Sequence, residues 1–224
     1  MFKRETYPTH LLWILNLMVF LLLLMSAYRC FFFYHYNISN RPFSGSAFLL
    51  GLRYDLRIVS VLGLMLILIT SFSLLSPMKS EFNRAVWSSM VTLVFGVFLV
   101  FYGCDFFHYD YLHQRLNASV LNYLADAKIS GAMVWETYPV VTIGIVFIFL
   151  SYLFFRGHQR LLVNMQKGHT PDFSRKRKWL IYSLYVVLLS GFTFGKLDQY
   201  PLRWSDAFLF SDDYKANTSL NPFQ

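Results

Sequence analysis

Residues 11–28 read LLWILNLMVFLLLLMSAY, a run without a single charged side chain. Four further runs of this kind follow it along the chain. A bilayer core about 30 Å thick needs roughly 20 apolar residues of helix. The sequence therefore predicts an all-α integral membrane protein whose residues 1–195 form five transmembrane helices. With their aromatic or small flanking residues, the predicted spans cover about 11–33, 47–75, 86–104, 138–156 and 179–195.

The composition of the 224-residue chain is that of a membrane protein. Hydrophobic residues make up 56% and charged residues 14%, against about 25% charged in an average soluble domain. The formal net charge is +8, but no basic module interleaved with aromatic residues is present, which argues against nucleic acid as a partner. Basic residues in membrane proteins instead collect in cytoplasmic loops, where they meet anionic phospholipid.

The distribution of Lys and Arg predicts the orientation. Eleven of these 20 residues fall in segments that are inside when the N-terminus is cytoplasmic. Four of them are consecutive at 175–178, directly before the fifth span, and should keep that loop in the cytoplasm. The tail, residues 196–224, then lies on the outer face. The first span follows Lys3 and Arg4 and lacks a small-x-small cleavage site, so an uncleaved anchor is expected.

Three charged residues lie within the second predicted span, in the stretch GLRYDLR at 51–57. Arg53 and Arg57 are four positions apart and share a helix face, whereas Asp55 is expected to point to a neighbouring helix or loop. A charge at this depth in a membrane span costs free energy unless it is paired, hydrated or part of a functional site. Two interpretations remain open: an ion-pair network that fixes helix packing, and a site for an anionic lipid headgroup.

The outer segment 105–137 is predicted to contain an amphipathic helix that lies in the membrane interface between spans three and four. Its apolar residues at helical spacing are Leu112, Leu116, Val120, Leu121 and Leu124.

The same segment supplies further candidates for headgroup contact, namely Asp105, His108, Arg115 and Asn117. Two Asp-x-x-His spacings occur here, but Asp105 and Asp110 lie about 140° apart on a helix, so one helix cannot gather four metal ligands. No metal site is therefore predicted in this chain. The polar side chains are expected to orient the loop or to pair with Arg53 and Arg57.

The polar tail contains no further span and is predicted to be a linker on the outer face. Its linker contacts are assigned to Arg203, Trp204 and Asp206, in the simplest form as an ion pair beside an interfacial Trp. Cys30 and Cys104 fall near the outer ends of their helices. They form either a disulfide or two unpaired thiols that behave as small apolar residues.

Several stretches of the chain occur in an order typical of one family. They are GLRYDLR at 51–57, an outer segment that opens with Asp105 and runs to Asn117, YPLRWSDAF at 200–208, and Asn221-Pro222. Together with five spans, they resemble the N-terminal membrane domain of the lipoteichoic acid synthase and phosphoglycerol transferase family, within the sulfatase and alkaline phosphatase superfamily. The resemblance covers nearly the whole chain.

The resemblance implies a bacterial cytoplasmic (inner) membrane protein whose tail leads to an outward-facing catalytic domain. In that family the domain holds a divalent metal (Mn, Zn or Mg) and a Thr nucleophile, and it transfers a phosphate-linked group from a lipid donor. None of its residues is in this sequence, so no catalytic residue and no cofactor are assigned here. The expected partners are membrane phospholipids and that domain, with Arg53, Asp55 and Arg57 as headgroup candidates.

A second function fits the same sequence, namely a self-contained, noncatalytic membrane scaffold or accessory subunit. A small transporter is disfavoured because the five spans show no inverted duplication and no charge near a midplane. The parent enzyme, if there is one, is expected to be a phosphoglycerol or phosphoethanolamine transferase or a sulfatase-like hydrolase, and the sequence leaves the transferred group open.

Overall fold

The computed structural model describes residues 8–37, 41–117, 127–167, 174–210 and 212–223. Throughout these ranges the regular structure is helical, and they contain no β-strand. The α-helices are α1 Thr9–His35, α2 Gly45–Thr70, α3 Glu81–Leu112, α4 Ala127–Thr137, α5 Val140–Gln166, α6 Arg175–Phe194 and α7 Asp213–Ser219. Two short 3-10 helices lie at Ser73–Leu75 and Trp204–Leu209.

Three of these helices, α1, α3 and α5, are long and apolar enough to cross a membrane. The other two predicted spans also form helices, α2 and α6. Each contains a group of charged residues, at 53–57 in α2 and at 175–178 in α6. The fold is thus all-helical with three candidate membrane-spanning helices.

The helices that contain predicted spans three and four are longer than those spans. Helix α3 begins at Glu81, where the hydroxyl of Ser80 accepts a hydrogen bond from Asn83 N at 3.1 Å. It continues past residue 104 to Leu112, and His113 ends it in the left-handed conformation at φ 53°. Helix α5 continues to Gln166 because its last turns bury apolar residues against the bundle.

The helix predicted between spans three and four is placed differently. Leu112 ends α3 and Leu116 is not helical, while the other three residues of that pattern lie outside the described ranges. A helix does form in this part of the chain, but as α4 at Ala127–Thr137. Leu112 and Leu116 therefore do not belong to one helix. The N–H of Leu116 instead donates to Asp105 Oδ1 at 2.9 Å, which fixes the chain after the end of α3.

Helix α1 lies at the centre of the bundle. Helix α2 packs between α1 and α6, and α3 packs against α5. Aromatic ring pairs fill the space between α1 and α3 from one end of α1 to the other, with centroids 4.3–5.8 Å apart within each pair. These pairs are Trp13–Trp87, Phe20–Phe95, Tyr28–Tyr102 and Phe32–Tyr109.

The tail folds back onto the bundle after α6. Gly195 ends α6 at φ 82°, and Leu202 N donates to Phe194 O at 2.9 Å, which closes a turn beside the helix. Arg57 donates to Leu202 O, so α6 ends level with the middle of α2. The first half of α2, from Gly45 to this level, packs against α7, and its Tyr54 is buried together with Leu202 and Ala207 of the tail. The two cysteines, Cys30 and Cys104, are both free and exposed.

Candidate functional site

A buried ion pair joins α1 to α2 at the end of the bundle where α1 ends and α2 begins, which we call the outer end. Arg29 Nη2 lies 2.7 Å from each carboxylate oxygen of Asp55. Asp55 is 0% exposed and Arg29 is 4% exposed. The prediction that Asp55 points to a neighbouring helix is confirmed. A charge this deep is stable only when it is paired and its remaining hydrogen-bonding positions are filled.

The remaining donors of Arg29 bind backbone carbonyls. Nη1 donates to Thr218 O at 2.7 Å and to Ser219 O at 2.6 Å, at the C-terminal end of α7. Nη2 also donates to Gly51 O at 2.9 Å. The last carbonyls of a helix have no partner within the helix and carry partial negative charge, which a guanidinium satisfies. One side chain of α1 therefore holds both α2 and the tail.

The tail makes a second contact with the same carboxylate. Asn221 Nδ2 donates to Asp55 Oδ1 at 2.9 Å. Two positions later, the ring of Phe223 packs 4.5 Å from Phe98 and 5.0 Å from Phe101 on α3. The end of the tail thus fills the space between α2 and α3 with one polar and one aromatic side chain.

A second buried ion pair lies on the α3 side. Asp105 is 0% exposed, accepts a hydrogen bond from Arg115 Nε at 3.1 Å and another from Tyr28 Oη at 2.7 Å. Arg115 Nη2 lies 2.9 Å from Oδ2 of Asp105, where it forms an ion pair but not a hydrogen bond. The guanidinium stacks over Phe32 at 4.4 Å and donates to Asn217 O at 3.3 Å.

The outer-end cluster consists of Arg29, Asp55, Asp105 and Arg115 with the tail residues 217–221 that they bind. Its two positive and two negative charges cancel, and both arginines contact the tail backbone. Tyr102 packs against Tyr28 and Phe223, and its buried hydroxyl has no hydrogen-bond partner in the described part of the chain. The arrangement binds a polypeptide segment through the backbone carbonyls of residues 217–219 and the side chain of Asn221.

The positively charged headgroup candidates differ in their access to solvent. Arg57 is half-buried and donates to Leu202 O, and the neighbouring Tyr54 Oη donates to Arg203 O at 2.7 Å. Arg53 is exposed on the same helix. Of the two alternatives for the polar residues of the 105–137 segment, Asp105 follows the first: it pairs with Arg115 and holds Leu116 N, so it orients the chain after α3. Its partner is Arg115 and not Arg53 or Arg57.

The two other candidates lie near the outer end of α3. His108 is half-buried on α3, and Asn117 is exposed after its end. Within the described residues, no group of three or more His, Cys, Asp or Glu side chains is arranged to hold a metal ion.

The 3-10 helix of the tail has its own polar contacts. Asp206 accepts hydrogen bonds from Lys196 Nζ at 3.1 Å and from Arg203 N at 2.7 Å. Burial alone raises the pKa of Asp206, but these two hydrogen bonds and the nearby positive charges hold it below its ordinary value. The expected partner of Asp206 was the side chain of Arg203, which instead stacks over Tyr200 at 4.9 Å. Trp204 is exposed and packs edge-on against Phe208.

Sequence reasoning missed Arg29 as a member of the cluster and Tyr28 as a donor to Asp105. Arg29 is the sole charged residue in the stretch 11–33. A charge near the end of an apolar helix requires a partner, and Asp55 is the acidic residue at matching depth on the next helix. That pairing could have been found from the sequence, whereas the tail carbonyls could not.

A second polar group lies at the opposite end of the bundle. Trp13 Nε1 donates to His158 Nε2 at 2.8 Å, and His158 Nδ1 lies 3.0 Å from Ser88 Oγ. Indole N–H is only a donor, so Nε2 is unprotonated and Nδ1 carries the proton. This contact joins α1, α3 and α5.

No protein-family model, curated protein or solved structure matches this chain significantly.

Proposed function

We propose that this chain is the membrane-anchoring domain of a lipoteichoic acid synthase-like enzyme of the sulfatase and alkaline phosphatase superfamily. In this proposal, α2 and α6 also span the membrane, which gives five spans with the N-terminus in the cytoplasm of a bacterium and the tail on the outer face. The outer-end cluster orients the tail, and thereby a metal-dependent catalytic domain that follows it.

One observation carries the proposal: the stretches on which the family resemblance rests contact one another. Tyr54 of the 51–57 stretch donates to Arg203 of the 200–208 stretch, 149 positions away. Asp55 of the same stretch accepts from Asn221 of the Asn-Pro pair. Both contacts hold the tail on α2 where it leaves the bundle, which is what an anchoring domain requires if a catalytic domain follows the tail.

The five-span arrangement is supported by the positions of charges and Trp residues. The basic cluster 175–178 opens α6 at the end of the bundle opposite to Arg29, and cytoplasmic segments are the ones enriched in Lys and Arg. Of the five Trp residues, Trp135, Trp179 and Trp204 are exposed and lie at the ends of predicted spans or just beyond them. Trp is enriched at both membrane interfaces.

Presentation of a phospholipid donor is assigned to Arg53. It is exposed, whereas Asp55, Asp105 and Arg115 are buried in ion pairs. A guanidinium near the outer interface binds a lipid phosphate through charge-assisted hydrogen bonds. Arg57 supports the site indirectly, since it holds the tail at Leu202.

The test compares two variants of the intact parent protein. Arg53→Gln is expected to lower transferase activity by roughly 10- to 100-fold, because a hydrogen bond to a charged group contributes about 1.5–3 kcal/mol. Arg175→Gln, an exposed arginine at the other end of the bundle, is the matched control and should leave activity unchanged. Unaltered activity of the Arg53 variant at equal expression would overturn the donor role.

The coding sequence downstream of Gln224 tests the larger proposal. A Thr nucleophile followed by Asp and His metal ligands supports the enzyme. A stop codon favours the alternative, a noncatalytic scaffold or accessory subunit. Substituted-cysteine labelling of whole cells at Asp213 then tests the orientation, because an impermeant reagent should reach this exposed residue from outside.

A further inference from the structure

A row of large apolar side chains is exposed just after α6. Trp204 is 60% exposed and Leu209 is 83% exposed, and three neighbours on the same segment are also exposed. The members of the row are Leu197, Tyr200, Trp204, Phe208 and Leu209. So many exposed apolar side chains within a short segment mark an interaction surface.

The opposite side of this segment is packed on the protein. Leu202 and Ala207 are buried together with Tyr54 of α2, and Leu50 packs against them. The segment therefore has two apolar faces, one against α2 and one outward. The outward face is fixed in place by these contacts and by the ion pair between Lys196 and Asp206.

The segment lies beside α2 and not above its tip. It is fastened at the level of Arg57, which donates to Leu202 O, while α2 begins at Gly45. At a rise of 1.5 Å per residue, the helix extends about 18 Å beyond that level. The segment therefore lies beside α2 at the level where α6 ends, and it follows α6 directly along the chain.

We infer that the row from Leu197 to Leu209 is seated in the lipid bilayer, at the interface where α6 ends. Tyr and Trp prefer this depth because one part of the ring system is apolar and the other is polar. Arg203 stacks over Tyr200 and Arg53 is exposed nearby on α2, so cations complementary to lipid phosphates flank the row. The inference rests on the membrane location in the proposed function, and it does not depend on the enzyme family.

We call this placement of the row in the bilayer the bilayer seat. It holds the tail in addition to the contacts of the outer-end cluster. The row lies between Gly195, where the last span ends, and α7, which the cluster holds. A segment held by lipid on one side and by α2 on the other restricts the tail along the membrane plane as well as perpendicular to it.

The test uses the full chain in nanodiscs of phosphatidylcholine and phosphatidylglycerol. Cys30→Ser and Cys104→Ser remove the two free, exposed thiols. A single cysteine then replaces Leu209, or, as a matched control, Asp213, which is exposed on α7. Each is labelled with an environment-sensitive nitrobenzoxadiazole dye.

Spin-labelled lipid should quench the dye at position 209 at least threefold more strongly than the dye at 213, and aqueous iodide should show the reverse order. Equal quenching of both dyes by iodide would overturn the inference in favour of solvent exposure. Protection of position 209 from both quenchers would overturn it in favour of a protein partner. Leu197→Cys is the second site, and it should behave as Leu209→Cys does.

Nanodisc quenching is independent of sidedness and of transferase activity. Labelling of the Asp213 variant in whole cells only after permeabilisation would therefore overturn the proposed orientation and leave the bilayer seat intact. Conversely, strong iodide quenching of the dye at position 209 would contradict the bilayer seat and would not affect the proposed anchoring function.

Discussion

Arg29 and Asp55 form a nearly solvent-free ion pair in which a single guanidinium nitrogen contacts both carboxylate oxygens at 2.7 Å. The same guanidinium donates hydrogen bonds to the last carbonyls of α7, and the same carboxylate accepts one from Asn221. The pair therefore joins two neighbouring helices and the tail in one contact. Because the pair is buried, water cannot replace either partner if the other is removed.

Asp55→Asn should destabilise the protein by about 3–5 kcal/mol, because it leaves the charge of Arg29 buried without a counter-ion. The tail should be released first, since the cluster holds residues 217–221. The free energy of unfolding in mixed micelles and the hydrogen exchange of α7 amides measure the two effects.

Glu81→Gln is the matched control for that substitution. Glu81 pairs with Arg84 at 3.2 Å, but its side chain is 92% exposed. Exposed ion pairs contribute little to stability. An equal loss in both variants would contradict a special role for the buried pair.

Gly51→Ala should displace Arg29. A Cβ atom at position 51 would stand 2.1 Å from Arg29 Nη1 and 2.2 Å from Cζ, so the guanidinium has to leave the carbonyls that it binds. We expect a loss of several kcal/mol, similar to that of Asp55→Asn. Gly144→Ala on α5 has open space around the new methyl group and should be neutral or slightly stabilising. Thermal unfolding of the two variants compares them directly, and a neutral Gly51→Ala would contradict the contact.

Trp13→Phe should destabilise the opposite end of the bundle by about 2–4 kcal/mol, since it removes ring volume and leaves His158 Nε2 without a donor. Trp179→Phe is the control, because Trp179 is 66% exposed whereas Trp13 is 0% exposed. Unfolding followed by far-ultraviolet circular dichroism separates the variants. Equal stability of the two would refute the buried hydrogen bond.

Acid should loosen the segment between α6 and α7. The pKa of Asp206 is held below its ordinary value of 3.8, so its contribution to stability is complete above that pH and is lost as the pH falls through the lower, native pKa. We expect a contribution of about 1 kcal/mol, as for a side chain that caps a helix end.

Emission of a dye at Leu209→Cys, followed between about pH 5 and pH 2, measures this loss. The transition should disappear in Asp206→Asn and persist in Asp213→Asn, whose parent carboxylate is exposed. An unchanged acid transition in Asp206→Asn would assign the effect to another carboxylate.

The helical class and the helices that contain the five uncharged runs could be predicted from the sequence because the constraint is local: such runs form helices in an apolar environment. Three of these helices are long and apolar enough to cross a membrane. The helix ends depend on contacts made elsewhere. Helix α3 continues to Leu112 because Asp105 and Tyr109 are buried against α1. Nothing in residues 105–112 alone distinguishes that helix from an interfacial loop.

The candidate site was predicted in part. Asp55, Asp105 and Arg115 were among the predicted candidates and Arg29 was not, and neither of the two ion pairs was predicted. The Arg29–Asp55 pair could have been inferred from matching depth on neighbouring helices. The Asp105–Arg115 pair depends on how the chain turns back after α3 ends at Leu112, which a single-sequence pattern does not show. The role of the tail backbone was equally out of reach, since carbonyl groups leave no mark in a sequence.

In the five-span arrangement, the shortness of the uncharged part of α6 has a consequence for the choice of membrane. Residues 179–195 rise about 26 Å, less than the roughly 30 Å hydrocarbon thickness of an average bilayer, whereas α2 continues well past the level where α6 stops. A bilayer in contact with both helices would then be thinned on the α6 side, and the apolar row of the tail would offset only part of the difference. Hydrophobic mismatch would thus act on one flank only, and a change in acyl-chain length would tilt the bundle instead of stretching it evenly.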